Sequence, residues 1–363
     1  MRTREGIVEL AFFQRKPPNI IGVDISSASV KLLELSFGPQ GYRVESYAVE
    51  NLPADAMQEK EIKDVEAVGL ALERVVKRSR TRSKYGAVAI NGSGVIAKVI
   101  QMNNGLTEAE LETQIKLEAE RYIPYPLQEV NIDFQVIGPS SKSPELVDVL
   151  LAASRTETID TLVEVLSMGG ITARVVEIEA YAIERAFGLI ADQVPSEGEH
   201  QTIAVVDVGS SITTFSVLHD KATVYNREQI IGGKQLTEEI QRRYGLTFEE
   251  AGVAKKQGGL PDDYTLEVLE PFKDAVVQQI GRSLQFFFSS SQFSEVDHIV
   301  LAGGTSSLPG LVERVEEKLG IPATVANPFA KMSIAPRVSV PAIHADAPSL
   351  MICCGLAMRS FMQ

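Results

Sequence analysis

The sequence predicts an α/β protein of two related halves that face each other across a cleft. Two observations lead to this prediction. A strand–turn–strand segment occurs twice, at residues 20–36 and 202–218, and a glycine-rich strand-to-helix connection follows at residues 297–321. With 363 residues, 44% of them hydrophobic, the chain is long enough for two or more domains with large cores.

Each copy of the repeated segment has the same unusual turn. “IIGVDISSASVKLLELS” and “TIAVVDVGSSITTFSVL” both place an aspartate and two serines between a buried strand and a second strand. A plain hairpin remains the alternative, but a hairpin turn does not need Asp and Ser-Ser twice. Small residues let backbone N–H groups approach a phosphate, and an aspartate on each side can hold a hydrated Mg²⁺. The two turns therefore predict a phosphate-binding site between the halves.

Two glycine pairs support this prediction. In “DHIVLAGGTSSLPGLVERVEEKLGI” a strand runs into Gly303 and Gly304, and a helix follows with Pro309 near its first turn and Gly320 at its end. In “IIGGKQLTEEI” another pair precedes a helix. Glycines between a strand and a helix bring backbone close to a ligand, and a helix N-terminus favours anionic groups. The pattern differs from the dinucleotide-binding fingerprint.

The composition excludes several classes of function. A net charge of −13 and a pI near 5.0 argue against a nucleic-acid-binding surface, which needs concentrated basic side chains. The cysteines, Cys353 and Cys354, are adjacent in an apolar run, so we expect buried thiols and a reducing compartment. The four histidines lack metal-ligand spacing, and no catalytic dyad or triad signature is present. The apolar run at residues 7–13 lacks the features of a signal peptide or membrane span, so we expect a cytoplasmic protein.

These segments together resemble the actin/Hsp70/sugar-kinase ATPase superfamily, and within it the FtsA-like branch. The chain is most similar to the PilM family of cytoplasmic, actin-like proteins of type IV pilus assembly. The stretches that carry this narrower resemblance spread over nearly the whole chain: “FFQRKPPNIIGVDISSASVKLLELS”, “EAERYIPYPLQEVNIDFQV”, “KKQGGLPDDYTLEVLEPFKDAVVQQIGRSLQFFFSSSQFSEVDHIVLAGG” and “VANPFAKM”. The segments “VVEIEAYAIERA” and “PSLMICCGLAMR” match the linking helices of the superfamily.

The resemblance implies an actin-like ATPase fold, with duplicated RNase H-like halves around a nucleotide cleft and an FtsA-like insert. We expect the first half, subdomain 1A, at residues 1–84 and 171–200. The inserted subdomain, 1C, is expected at residues 85–170. The second half, 2A, is expected at residues 201–363, with a smaller insert, 2B, at about 225–275.

The resemblance also implies the binding of ATP with Mg²⁺. The metal would be held through water by Asp24 and Asp207. Lys255 lies where FtsA-like proteins place a lysine beside the adenine, but Gly252 replaces the glutamate that many relatives have nearby. No catalytic residue is expected. The implied nucleotide-binding residues are Asp24, Ser26, Ser27, Lys31, Asp207, Gly209, Ser210, Ser211, Thr213, Gly232, Gly233, Lys255, Gly303, Gly304 and Ser306.

The insert is expected to bind a partner. Residues 87–102 predict two short strands around the turn 91–94, and Thr107 with Glu110 predicts a capping box for a following helix. In the PilM family the groove between this insert and the first half receives the cytoplasmic N-terminal peptide of PilN, a membrane protein. Extended peptides bind to exposed strand edges and apolar grooves. The groove residues expected here are Asn91, Val95, Ala97 and Lys98.

The resemblance thus implies a nucleotide-dependent binding protein of the type IV pilus inner-membrane platform, with a role in fimbrium biogenesis and twitching motility. We expect it to reach the membrane through PilN and other pilus components, without nucleic acid, and a homo-oligomer remains possible. The alternatives are a slow ATPase, a small-molecule kinase on the same fold, or a filament-forming actin homologue. A kinase would need an aspartate placed for a substrate hydroxyl, and none is identified. A phosphate-release assay tests for the ATPase, and light scattering with ATP tests for the filament.

Overall fold

A computed structural model describes residues 19–140, 143–195 and 200–362 of the chain. The apolar run at residues 7–13 lies outside these residues. The strands are β1 Ile20–Ile25, β2 Ser29–Gly38, β3 Gly41–Asn51, β4 Met57–Gln58, β5 Glu61–Ile62, β6 Tyr85–Ile90, β7 Val95–Asn103, β8 Val130–Pro139, β9 Leu146–Arg155, β10 Thr172–Ile178, β11 Thr202–Val208, β12 Thr213–His219, β13 Ala222–Gln229, β14 His298–Ala302, β15 Ala323–Val325 and β16 Ser333–Ile334. The helices are α1 Val65–Ser79, α2 Glu108–Ala119, α3 Thr156–Met168, α4 Glu179–Phe187, α5 Gly233–Tyr244, α6 Phe248–Gln257, α7 Glu270–Ser290, α8 Leu311–Leu319, α9 Val340–Asp346 and α10 Met351–Ala357.

Two sheets repeat the same topology. The first has the order β10-β6-β1-β2-β3, with β16 added at its edge, and the second has the order β15-β14-β11-β12-β13. In each sheet the two strands around the Asp and Ser-Ser turn are antiparallel, and the strand on the other side is parallel. The repeat in the sequence is therefore a repeat of whole sheets.

The two linking helices pack backbone to backbone at the centre of the molecule. A Cβ on Gly355 of α10 would lie 1.8 Å from the carbonyl oxygen of Ala182 in α4, and a Cβ on Gly22 of β1 would lie 2.2 Å from the carbonyl oxygen of Cys353. Only glycine permits such approaches. Side chains of both halves form one continuous core around these helices.

The C-terminal helical run belongs to this core. By length and composition alone, Val340–Phe361 could cross a membrane, but 61% of its most apolar stretch is buried within the protein. Cys353 and Cys354 are fully buried there, as expected, and burial raises the pKa of both thiols. A soluble core helix meets the same criteria of length and hydropathy.

The inserted subdomain is a three-stranded antiparallel sheet of order β7-β9-β8 with helix α2 packed on one face. Thr107 and Glu110 form the expected capping box at the start of α2. Leu111, Ile115 and Ala119 face the sheet, because their helical spacing puts them on one side.

The expected insert boundaries are wrong at both ends. Tyr85–Ile90 is not a hairpin partner of β7, because it pairs in parallel with β1 and β10 in the first sheet. Helix α3 packs on α1 rather than on the insert, and its buried residues join the core of the first half. The subdomain therefore spans about residues 92–155.

The expected smaller insert, residues 225–275, is also drawn too widely. Most of β13 falls inside that range, but the strand is part of the second sheet, paired with β12. The rest of the range 225–275 contains α5, α6 and the start of α7. These helices contribute Leu236, Ile240 and Ala251 to the core of the second half.

Candidate functional site

A cleft of about 1100 Å³ lies between the two halves. It is lined by the ends of β1 and β11 and by the turns that follow them, because the duplicated topology brings these corresponding ends together. The predicted site residues that line it are Asp24, Ser26, Ser27, Lys31, Asp207, Gly209, Ser210, Gly233, Lys255, Gly303 and Gly304.

The first turn is built around a buried ion pair. Asp24 and Lys31 are cross-strand neighbours in the β1–β2 hairpin, and Lys31 Nζ donates to Asp24 Oδ2 at 2.8 Å. Both side chains are almost fully buried. Burial lowers the pKa of Lys31, but Asp24 more than offsets this effect and the net pKa is raised. The hydroxyl of Ser26 donates to the carbonyl of Ser29, so that serine closes its own turn.

The second turn and the first glycine pair are joined backbone to backbone. The amide of Gly233 donates to the carbonyl of Gly209 at 3.0 Å, and the amide of Lys234 donates to the carbonyl of Ser210 at 2.8 Å. A Cβ on Gly232 would lie 2.4 Å from the Ser210 carbonyl oxygen. These contacts require small residues and hold the start of α5 against the turn.

The second glycine pair also packs against this turn. Gly303 has φ of +83°, which favours glycine, and a Cβ there would lie 2.6 Å from Asp207 Oδ1. The hydroxyl of Thr305 donates to the carbonyl of Gly209 at 2.8 Å. Helix α8 begins at Leu311, so Pro309 lies just before its first turn.

Four predicted residues are not part of the cleft lining. The hydroxyl of Thr213 donates to the carbonyl of Ile231 at 2.8 Å, and that of Ser306 donates to the carbonyl of Gly303 at 2.7 Å. Both hydroxyls are therefore used inside the protein. The other two are Ser211 and Gly232.

A lysine that sequence reasoning missed crosses the cleft. Lys60, on the small β4–β5 hairpin of the first half, donates to both oxygens of Glu179 at 2.7 and 2.8 Å. It also donates to Glu228 and Thr214 of the second half, at 3.1 Å each. This ammonium group therefore connects the two halves at the floor of the cleft.

The floor carries more negative than positive charge. Two ammonium groups face four carboxylates, those of Asp24, Glu179, Asp207 and Glu228. Burial raises the pKa of Asp207 to about 7, and the nearby Glu179 carboxylate adds to this effect. Burial also raises the pKa of Glu179, against the influence of Lys60. The arrangement would be stabilised by a further cation.

Lys255 lies on the second-half side of the cleft. Its Nζ donates to the carbonyl of Gly233 at 2.8 Å and to the hydroxyl of Thr237 at 2.6 Å. Burial, with a contribution from Lys256, lowers the pKa of Lys255 to about 8. Among the described residues, none comes within 4 Å of a Cβ placed on Gly252, which lies one helical turn before Lys255.

The predicted groove residues lie on the junction between the insert and the first half. The side chain of Asn91 accepts from the amide of Gly94 and donates to the carbonyl of Lys60 at 3.3 Å. Val95 packs against the core of the first half, while Ala97 is exposed. Lys98 is exposed on the insert and its Nζ lies 4.0 Å from the centre of the Tyr122 ring. Of the four predicted groove residues, only Asn91 also lines the cleft.

Comparison with known proteins decides the family. The family model for type IV pilus assembly protein PilM matches residues 22–361. The chain belongs to the PilM family. A solved PilM-PilN type IV pilus biogenesis complex matches with a TM-score of 0.79 and 27% identity, covering 95% of this chain and 99% of that one. This chain is therefore a type IV pilus assembly protein, as its resemblance predicts.

Two more distant relatives agree with the fold. Cell division protein FtsA of Enterococcus hirae is 22% identical over 351 residues, which cover 83% of this chain and 76% of FtsA. The ethanolamine utilization protein EutJ of Carboxydothermus hydrogenoformans has a TM-score of 0.55 at 16% identity, covering 94% of this chain and 90% of EutJ. The predicted actin-like, FtsA-like fold is confirmed.

The contacts of Lys60 predict a large loss of stability when its charge is removed. Lys60→Met leaves the buried carboxylates of Glu179 and Glu228 without their cation, so we expect the free energy of unfolding to fall by about 3–5 kcal/mol. The measurement is chemical denaturation followed by circular dichroism.

Lys63→Met is the matched control, because Lys63 follows the same hairpin and, within the described part of the chain, forms an ion pair with Glu61 alone. Both side chains are exposed. We expect this variant to differ from the wild type by about 0.5 kcal/mol or less. Equal losses in the two variants would contradict a special role for Lys60.

Proposed function

We propose that this PilM-family protein binds Mg-ATP in the cleft and, in response, captures the cytoplasmic N-terminal peptide of a PilN-like membrane protein. The observation that carries the proposal is the convergence of the two duplicated turns on one cleft, each preceded by a buried strand whose second-last residue is an aspartate. The glycine pairs bring backbone to the same place, and a close backbone approach is what phosphate groups require.

The donor set fits a hydrated Mg²⁺. The carboxylates of Asp24 and Asp207 face the cleft from opposite halves, and oxygen ligands with several retained waters are typical of this ion. The excess of carboxylates over ammonium groups at the floor favours a divalent cation. When bound, Mg²⁺ would neutralise phosphate charge, and the two aspartates would orient its waters.

The rest of the cleft suits the nucleotide. Ser27 and Ser210 line opposite sides and can donate to phosphate oxygens. Gly233 and Lys255 lie together at the start of α5, where the ribose and base would bind, and Gly303 and Gly304 would back the adenosine. A cavity of about 1100 Å³ gives ample room for ATP and its bound waters.

The cleft and the groove are physically connected. The cavity that begins at the two turns continues past Asn91 to Gly94 and Arg155, where the insert meets the first half. Asn91 also contacts the backbone of Lys60, the residue that joins the halves. A nucleotide that favours one arrangement of the halves would thus favour one shape of the groove, which is a population shift and needs no reaction.

The insert offers an edge for an extended peptide. β7 is at one edge of the three-stranded sheet and runs from the junction with the first half. Strand edges bind peptides through main-chain hydrogen bonds. The likeness to the solved PilM-PilN complex supports PilN as the partner, and binding to its cytoplasmic segment would bring the protein to the inner membrane. We also propose that the protein contacts other pilus components and that it can form a homo-oligomer.

The metal-binding role of the aspartates can be tested by thermal shift. We expect Mg-ATP to raise the melting temperature of the wild type, since a ligand at 100 times its Kd stabilises by about 2.7 kcal/mol. Asp24→Asn and Asp207→Asn keep the side-chain shape but remove the charge that holds the ion, so each variant should lose most of this shift.

Asp262→Asn, an exposed position in the second half, is the control and should keep the full shift. The measurement is repeated with ATP and EDTA, where the variants should match the wild type, because only the metal contribution is removed. Unchanged Mg-ATP shifts in both cleft variants would overturn the proposed site.

We expect turnover of ATP to be very slow. A water that attacks ATP must be oriented by a free acceptor. Glu179 lines the cleft, but both of its oxygens accept hydrogen bonds from Lys60. Multiple-turnover phosphate release by the isolated protein should therefore stay near the background rate. Robust release that Asp207→Asn abolishes would favour the ATPase alternative, and ATP-dependent light scattering would favour the filament.

The groove can be tested with a labelled peptide of about ten residues from the N-terminus of a PilN-like protein. Fluorescence anisotropy should show saturable binding that Ala97→Trp weakens at least tenfold, because the indole would fill the edge of β7. Val136→Trp, exposed on β8 at the opposite edge of the same sheet, is the matched control. Equal affinity for all three proteins would place the peptide elsewhere.

A further inference from the structure

Two histidines and an aspartate meet at the end of the second sheet that is opposite the cleft. His219 ends β12, Asp220 follows in the tight turn to β13, and His200 precedes β11. His200 Nδ1 lies 2.7 Å from Asp220 Oδ2, and His219 Nε2 lies 3.7 Å from the same oxygen. One carboxylate oxygen thus lies within reach of two imidazole nitrogens. The spacing of the histidines in the sequence predicts no metal site, but the hairpin and the neighbouring strand bring these two together.

The surrounding contacts orient the three groups. The other ring nitrogen of His219, Nδ1, lies 3.1 Å from the hydroxyl of Thr202, which leaves Nε2 directed toward the aspartate. The second oxygen of Asp220, Oδ1, accepts from the amide of Gln201 at 3.3 Å. The His219 ring also packs on Phe293, with 4.8 Å between ring centres. Such outer contacts are typical of the ligands of a metal ion.

We propose that His200, His219 and Asp220 bind a divalent transition-metal ion, with Zn²⁺ preferred over Mg²⁺. The three ligand atoms would be His200 Nδ1, His219 Nε2 and Asp220 Oδ2. The three residues can each offer one ligand atom such that all three atoms lie within 4.8 Å of one another. Tetrahedral Zn²⁺ at about 2.0 Å from each ligand needs separations of about 3.3 Å, which small side-chain rotations provide. Two imidazoles select for Zn²⁺, while Mg²⁺ prefers oxygen ligands.

The site is exposed enough to be reached and to keep a water as the fourth ligand. The side chains of His200, His219 and Asp220 are 73%, 32% and 44% exposed. The metal would take the place of the hydrogen bond between His200 Nδ1 and Asp220 Oδ2. The metal would link His200, which precedes β11, to the turn between β12 and β13. It would therefore hold the start of β11 in place on the second sheet. The site does not depend on nucleotide, because it lies at the other end of β11 from Asp207.

The test uses full-length protein without a histidine tag. Isothermal titration with ZnCl₂ should show one site per chain, and ZnCl₂ should raise the melting temperature. His200→Gln and His219→Gln should each weaken Zn²⁺ binding at least tenfold while keeping the wild-type circular dichroism spectrum. His344→Gln, at an exposed histidine outside the cluster, should bind like the wild type. A tenfold excess of MgCl₂ should not compete.

Two outcomes would overturn the proposal. One is no saturable Zn²⁺ binding by the wild type. The other is binding that survives in both His200→Gln and His219→Gln, or that His344→Gln reduces equally. If both cluster variants lose the native circular dichroism spectrum, Asp220→Asn serves instead, since the amide keeps the turn and offers a weaker ligand. Wild-type affinity in Asp220→Asn, combined with wild-type stability, would also contradict the site.

Discussion

The structure depends on the backbone contact between the two linking helices. Gly355 lets α10 lie directly on α4, and Gly22 lets β1 lie directly under α10. Asp24 is two residues beyond Gly22, and Glu179 is the first residue of α4. The same close packing that joins the halves therefore sets the positions of two acidic side chains in the cleft. A larger residue at either glycine would displace the site as well as the core, because protein interiors have little room to adjust.

The charges of the cleft explain how the halves stay in contact. Lys60 comes from the first half and contacts Glu228 and Thr214 of the second, in a place from which water is largely excluded. A buried cation with several acceptors is costly to separate from them. The bridge is therefore a constraint on separating the two halves, and it lies in the lining of the cleft itself.

The sequence predicted the site residues that belong to repeated motifs, and it missed a site residue that belongs to none. The two Asp and Ser-Ser turns and the glycine pairs recur or carry a local conformational reason, so they could be found from the sequence. Lys60 lies in the run “QEKEIK”, where no periodicity distinguishes a buried lysine from exposed ones. The strand Tyr85–Ile90 precedes a strong turn and so resembled half of a hairpin, although its partners come from residues 20–23 and 172–178. Contacts between distant segments leave little trace in local patterns.

The short strand β16 has a consequence for how the chain folds. Ser333–Ile334 of the second half pairs with Arg43 and Val44 at the edge of the first sheet, and Ala335 donates to the Val44 carbonyl. Nearly 300 residues separate these partners, so during synthesis this part of the sheet edge stays open until most of the chain has left the ribosome. Open edges invite pairing with other chains. The first half expressed alone would therefore lack its edge cover and would be prone to aggregation.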